Sequence, residues 1–284
     1  MINASIVLEG GAARGVFTAG ALDYLMEQDI YCSHVVGVSA GSCNGVDYIS
    51  GQIGRTKNCM IHKDKENAYI GVRTLIRRRT LYDMDMVFDY YPNVLYPFDF
   101  DTYSKSDMRG EWVVTNCRTG EAEYLDSRTD KEELMKIIRA SSSMPVVYPM
   151  VELHGEKYLD GGLADSIPIE RALSYGNDKV IVILTRKEGY RKKPIGKMQR
   201  DVYQRYFRDY PQLIETICTR AENYNRSLDQ LVELEREGKV FVIHPFFPTV
   251  GRTETRYERL LEFYQHGYQV MKNSRRRLEA YLMS

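Results

Sequence analysis

Short β-branched apolar runs alternate along this chain with stretches of helical period, and few folds accept that alternation. Residues 5–8, 35–38, 112–115 and 180–184 read as buried strands, with Val240–Ile243 as a further candidate. Between the first two, Val16, Ala19, Leu22 and Leu25 form one helical stripe. A second helix is expected over 129–139, where Thr129 and Glu132 match a capping box ahead of Leu134, Ile137 and Ile138. Pro145 would end that segment. The pattern predicts an α/β fold with a largely parallel sheet, whose ligand sites gather at the carboxyl ends of the strands.

Both leading strands run straight into small-residue turns. The first enters Gly10-Gly11-Ala12-Ala13-Arg14-Gly15 and the second ends in Gly37-Val38-Ser39-Ala40-Gly41. The latter is a G-x-S-x-G element, which mounts a serine on a sharp strand-to-helix turn with its hydroxyl exposed. Gly37 and Gly41 leave room for the turn, and Ala40 keeps that room while its N–H can face a developing oxyanion. The glycine loop fits a dinucleotide fingerprint poorly, since the next strand ends in the serine turn and not in an acidic residue. As an oxyanion loop it makes better sense, because consecutive small residues expose N–H groups at a helix start. Arg14 is most simply an anchor for that loop.

A serine hydroxyl needs a base. None of His34, His62, His154, His244 and His266 sits in a recognisable triad motif, although His244 or His266 could complete one. Asp160 is better placed, after the strand-like Lys157-Tyr158-Leu159 and before Gly161-Gly162, which lets the chain turn tightly around the carboxylate. A serine–aspartate pair requires Asp160 to be partly desolvated.

Composition excludes several classes. Lys+Arg and Asp+Glu are both 39, so no overall field argues for nucleic acid. Five scattered cysteines without a C-x-x-C pair suit free thiols in a reducing compartment. No apolar stretch is long enough to span a bilayer and no signal peptide is evident, so a cytoplasmic location is expected. No metal or cofactor is called for. The basic runs at 77–79, 191–193 and 275–277 read as solvated faces, with peripheral contact to an anionic membrane as the sharper reading. The aromatic-rich segment 81–103, broken by Pro92 and Pro97, reads as irregular core or as a cap lining an acyl pocket. Residues 187–200 look like a mobile linker. In the last third, stripes at 217, 221, 224, 228 and 231, and again at 257–271, predict helices docked on the core.

Glu9-Gly10-Gly11-Ala12-Ala13-Arg14-Gly15, Gly37-Val38-Ser39-Ala40-Gly41-Ser42, Ala140-Ser141-Ser142-Ser143-Met144-Pro145 and Asp160-Gly161-Gly162, in that order, resemble the patatin-like phospholipase family. The resemblance implies a three-layer α/β/α sandwich over residues 1–185, with 186–284 as a mostly helical extension packed on it. It implies hydrolysis of lipid acyl esters without a metal, Ser39 as nucleophile, Asp160 as general base, and oxyanion-hole N–H groups from Gly10, Gly11 and Ala12. Ala12 departs from the family, which usually has glycine there. If the loop needs φ > 0 the hole is compromised, and a catalytically weak lipid- or acyl-binding regulator is then the alternative.

Overall fold

The computed structural model describes all of residues 1–284 except 72, 73, 75, 77–79 and 248. The basic run at 77–79 lies outside the described residues. At the centre stands one sheet in the order β5-β6-β3-β2-β1-β7-β8, with β4 pairing on β3. Its strands are β1 (Ile2–Leu8), β2 (Cys32–Val38), β3 (Arg109–Asn116), β4 (Ala122–Leu125), β5 (Val151–Leu153), β6 (Glu156–Asp160), β7 (Lys179–Ile183) and β8 (Val240–Ile243). The run β3-β2-β1-β7-β8 is parallel, and β4, β5 and β6 join antiparallel.

Both faces of the parallel run are covered, which explains its unbroken apolar character. Along β1, Ile6 and Leu8 face the layer of α1 (Gly15–Glu27), α2 (Ala40–Ile49), α3 (Lys131–Ser141) and the long terminal helix Tyr257–Met283. Val7 faces the opposite layer, made by helix Ile169–Ser174 and α4 (Pro211–Arg236). Three layers, α/β/α, result. α5, the helix Tyr257–Met283, lies against α1 more closely than side chains would allow. A Cβ at Gly20 would overlap the Tyr264 carbonyl oxygen, and one at Gly267 that of Phe17.

Three sequence expectations need adjustment. Asp130, not Thr129, caps α3, because its carboxylate accepts from the N–H groups of both Glu132 and Glu133. The segment Met86–Leu95 is one π-helix despite Pro92. Residues 187–196 are irregular but pinned: Asn225 accepts from Lys192 N–H (2.8 Å) and donates to its carbonyl (3.0 Å), while the Lys192 ammonium lies 3.9 Å from the Tyr224 ring centre. Among the described residues no helix is long and apolar enough to cross a membrane.

Candidate active site

β1 is the point where the parallel sheet grows in both directions, with β2 on one side and β7 on the other. The glycine loop and the serine turn leave the carboxyl ends of β1 and β2, where such sheets hold ligands. Ser39 adopts φ 56° and ψ −121°, a strained conformation for a side-chain-bearing residue. Its N–H donates to the Ser141 hydroxyl (2.9 Å), which also bonds the Ser42 hydroxyl (2.8 Å), and Ser42 in turn donates to the Gly37 carbonyl (2.9 Å). Gly41 is required for packing, since a Cβ there would overlap the Leu8 carbonyl. Gly37 leaves similar room for the backbone of Gly41.

The serine-rich segment 141–143 links the two halves of the site. Ser141 holds the Ser39 turn, and two residues on the Ser143 carbonyl accepts from Asp160 N–H (2.8 Å). Asp160 ends β6 and is 7% exposed. Its Oδ1 accepts from Gly162 N–H (2.8 Å), and Thr115 Oγ1 donates to its carbonyl (2.9 Å). Gly161 lies behind it, pressed on the Val113 backbone.

The glycine loop is tied down from below by Glu9. Its Oε2 accepts from the N–H (2.6 Å) and hydroxyl (3.0 Å) of Thr185, and its Oε1 accepts from the Tyr224 hydroxyl (2.8 Å). Gly10 passes so near the serine turn that a Cβ would come 2.7 Å from the Val38 carbonyl oxygen and 2.9 Å from Ser39 Cβ. Ala12 does adopt the left-handed conformation, at φ 50°. The departure from glycine is therefore accommodated at a cost of about 1–2 kcal/mol. Arg14 closes the loop through its N–H to the Gly11 carbonyl (3.2 Å). Its side chain does more than anchor, because it lines the cavity described next.

Two cavities meet at Ser39. One, of about 570 Å³, is the more polar of the two and its lining includes Gly10, Gly11, Ala12, Arg14, Ser39, Asp160 and Gly162. Here the predicted residues come together, although the Ser39 hydroxyl and the Asp160 carboxylate share no direct hydrogen bond. The other, of about 120 Å³, is apolar, with walls that include Ala40, Met84, Phe88, Tyr91, Met135 and Ile138. Ala12, Ser39 and Met144 border both. Part of the aromatic segment 81–103 thus walls a cavity beside the serine.

No histidine lines either cavity among the described residues. His34 is buried between the Ser5 hydroxyl (2.9 Å) and Glu111 (3.1 Å), and His266 accepts from Phe246 N–H (3.0 Å). The sequence reading missed Arg186, Arg220 and Arg252, which line the polar cavity, and the basic run 191–193, read as a solvated face or a membrane contact, lines it too. For Arg220 a signal existed: an arginine interrupts the buried stripe of Ile217, Ala221 and Tyr224 on α4.

Comparison with known proteins places the chain in a family. Over 188 residues the chain is 30% identical to the uncharacterized protein YjjU of Escherichia coli K12, an alignment covering 64% of this chain and 51% of that one. It is 23% identical over 199 residues to the probable lipid hydrolase 463L of Invertebrate iridescent virus 6, covering 62% and 65%. With lysophospholipase nte1 of Emericella nidulans it shares 26% over 190 residues, covering 63% of this chain and 12% of the relative. The chain thus matches between an eighth and two thirds of the length of these relatives. Among solved structures, VipD from Legionella pneumophila superposes with a TM-score of 0.54 at 15% identity, covering 95% of this chain and 66% of VipD. Residues 210–283 match a domain of unknown function, DUF6363. Residues 6–173 match the patatin-like phospholipase model, and the chain belongs to that family.

Proposed function

We propose that this protein is a serine acyl hydrolase of lipase or phospholipase A type, working through a Ser39–Asp160 dyad. The observation that carries the reading is the position of Ser39, on a strained turn between an apolar cavity and a polar one that also contains Asp160. An acyl ester suits that junction, with its chain in the apolar cavity and its leaving group in the polar one. Asp160 takes the Ser39 proton as the hydroxyl attacks the carbonyl carbon, and returns it to the departing alcohol. The acyl-enzyme is then hydrolysed by water that Asp160 deprotonates. N–H groups of Gly10, Gly11 and Ala12 receive the oxyanion, and losing one such donor typically costs about 100- to 1000-fold in rate. The missing Ser39–Asp160 hydrogen bond is compatible with this, since catalytic contacts often tighten only when substrate binds.

In the same reading residues 1–185 are the catalytic core, and 186–284 supply one wall of the polar cavity. The substrate is a lipid or acyl ester. The test is turnover of a chromogenic medium-chain ester together with fluorophosphonate labelling. Wild-type protein should turn over and label, and Ser39→Ala and Asp160→Asn should lose both. Normal turnover by Ser39→Ala would end the proposal. Lipid binding without turnover or labelling would favour the regulator.

A further inference from the structure

Lys192 occupies a place that disfavours a lysine cation. It lines the polar cavity on the irregular segment after β7, and Asn225 of α4 holds its backbone on both sides. Its Nζ meets the face of the Tyr224 ring, 3.9 Å from the centre, and the Ser166 hydroxyl at 3.4 Å. Neither is an anion, and among the described residues no carboxylate oxygen lies within 4.0 Å of it. The charges felt at Lys192 are those of Arg220 on α4 and Arg252 beyond β8, set against Glu9 and Asp160. Both Glu9 oxygens are already engaged by Thr185 and Tyr224, and Asp160 Oδ1 by Gly162 N–H.

Burial first, then the Arg220 charge, brings the Lys192 ammonium down to about 6, so the free amine prevails at neutral pH. An amine stripped of its proton by cationic neighbours is a nucleophile. Losing that proton relieves Lys192 but leaves the guanidinium groups unbalanced. Arg220 Nε is buried without an acceptor, while its Nη2 reaches to 3.1 Å from where a Cβ at Gly162 would stand, on the cavity wall. Arg14 Nε is likewise buried and unpartnered. Buried charged donors without an acceptor are costly. One cavity therefore holds a free amine beside arginines that lack an anion, and a single small reagent answers both.

We propose that Lys192 is a site of reversible carbamylation by carbon dioxide, with the carbamate received by Arg220 and Arg252. The Nζ lone pair attacks the carbon of CO2, and an N–C bond forms as one C=O π pair moves onto oxygen. The nitrogen then passes a proton to water, leaving an anionic carbamate; nothing is oxidised or reduced. The product is a planar, carboxylate-like group, the shape that guanidinium groups hold with paired N–H donors. It also sets a negative charge amid those cations. Arg220 and Arg252 belong to the stretch matched by the domain of unknown function, so the receiving groups come from outside the patatin-like match. The assignment concerns the amine and its neighbours and does not rest on the acyl-hydrolase reading.

The test uses the full chain and its Ser39→Ala variant, so that ester chemistry plays no part. Both are equilibrated at neutral pH with bicarbonate labelled with carbon-13, and their NMR spectra are compared with that of Lys192→Met. A carbamate resonance that depends on Lys192 is expected in both. A trialkyloxonium salt, which esterifies and so fixes a carbamate, followed by peptide mass spectrometry, should place the adduct on Lys192. That mapping needs no variant, so it decides the matter even if Lys192→Met does not fold. At fixed dissolved CO2, occupancy should fall about tenfold in Arg220→Gln or Arg252→Gln, with circular dichroism checking the fold. It should fall again as pH drops through about 6 and the amine regains its proton. No adduct on Lys192, or no more than on other lysines, overturns the proposal. Occupancy unchanged in both folded arginine variants refutes the receiving role of the arginines. An adduct on a protein that hydrolyses no ester supports carbamylation and counts against the hydrolase alone.

Discussion

Ala12→Gly and Ala13→Gly make the same chemical change at adjacent positions and should act in opposite directions. Ala12 sits at φ 50°, where an alanine carries about 1–2 kcal/mol of steric strain that glycine lacks. Against that relief stand about 0.4–1 kcal/mol of extra unfolded-state entropy and roughly 0.4 kcal/mol for a half-buried methyl. The balance is near +0.5 kcal/mol in favour of glycine. Ala13 begins with no such strain, lies in a 3-10 turn and is 1% exposed. Its replacement loses a buried methyl, about 0.8 kcal/mol, and adds backbone entropy of about 0.5–1 kcal/mol, so it destabilises by roughly 1.5 kcal/mol. The two variants should thus differ by about 2 kcal/mol, or some 4–8 °C in Tm at the 2–4 °C per kcal/mol typical of domains near this size. Differential scanning calorimetry reads the difference. Initial ester hydrolysis should be retained in Ala12→Gly, because the N–H donor remains. Equal losses of Tm would refute the claim that Ala12 is held in a strained conformation.

Other outcomes follow from contacts around the same frame. Ser141→Ala strips the acceptor from Ser39 N–H (2.9 Å) and should cost about 1–3 kcal/mol in urea unfolding, with ester turnover falling at least as far as stability does. Gly267→Ala pushes a Cβ into the Phe17 backbone and should destabilise by about 3 kcal/mol or more; a melt within 1 °C of wild type would show that α1 and α5 do not pack as described. Burial works to raise the Glu111 carboxyl, but hydrogen bonds from Arg171 and His34 outweigh it and hold it at about 2, below the ordinary 4.5. A depressed carboxyl adds stability that is complete above pH 4.5 and disappears as pH falls towards 2. The stability difference between wild type and Glu111→Gln should therefore be flat from pH 7 to about 5 and shrink below it, measured by urea titration at each pH.

The legible parts of this protein are those decided by local sequence. Runs such as 35–38 lie inside real strands because burial on both faces demands apolar residues at every position. The glycines at 10, 37, 41 and 161 are informative because each marks a place where backbone meets backbone. What escaped depends on distant partners. Residues 187–196 have the composition of a linker, yet Asn225, 33 residues beyond Lys192, clamps them, and no local pattern encodes that. Thr129 matched the capping motif, but Asp130 next to it offers a carboxylate that accepts two N–H bonds at once. Ser141 was visible only as part of a motif, and its bond to Ser39 N–H spans 102 positions.

The same distinction orders the site itself. Ser39, Asp160 and the glycine loop come from strand ends, where the chain's direction is set by a few residues of turn chemistry, so their placement around one cavity could be anticipated. The cations that wall the polar cavity have scattered origins: Arg14 in the glycine loop, Arg186 and Lys192 after β7, Arg220 on α4 and Arg252 after β8. Glu9 joins the two systems. One of its oxygens holds Thr185 at the end of β7 and the other holds Tyr224 of α4, while Thr185 Oγ1 also lies 3.0 Å from the Gly10 carbonyl. A shift of α4 would therefore reach both the cationic wall and the loop proposed to receive the oxyanion. The loop proposed to receive the oxyanion and α4 thus share one buried carboxylate as their mechanical link, and Glu9→Gln should lower both ester turnover and the midpoint of urea unfolding.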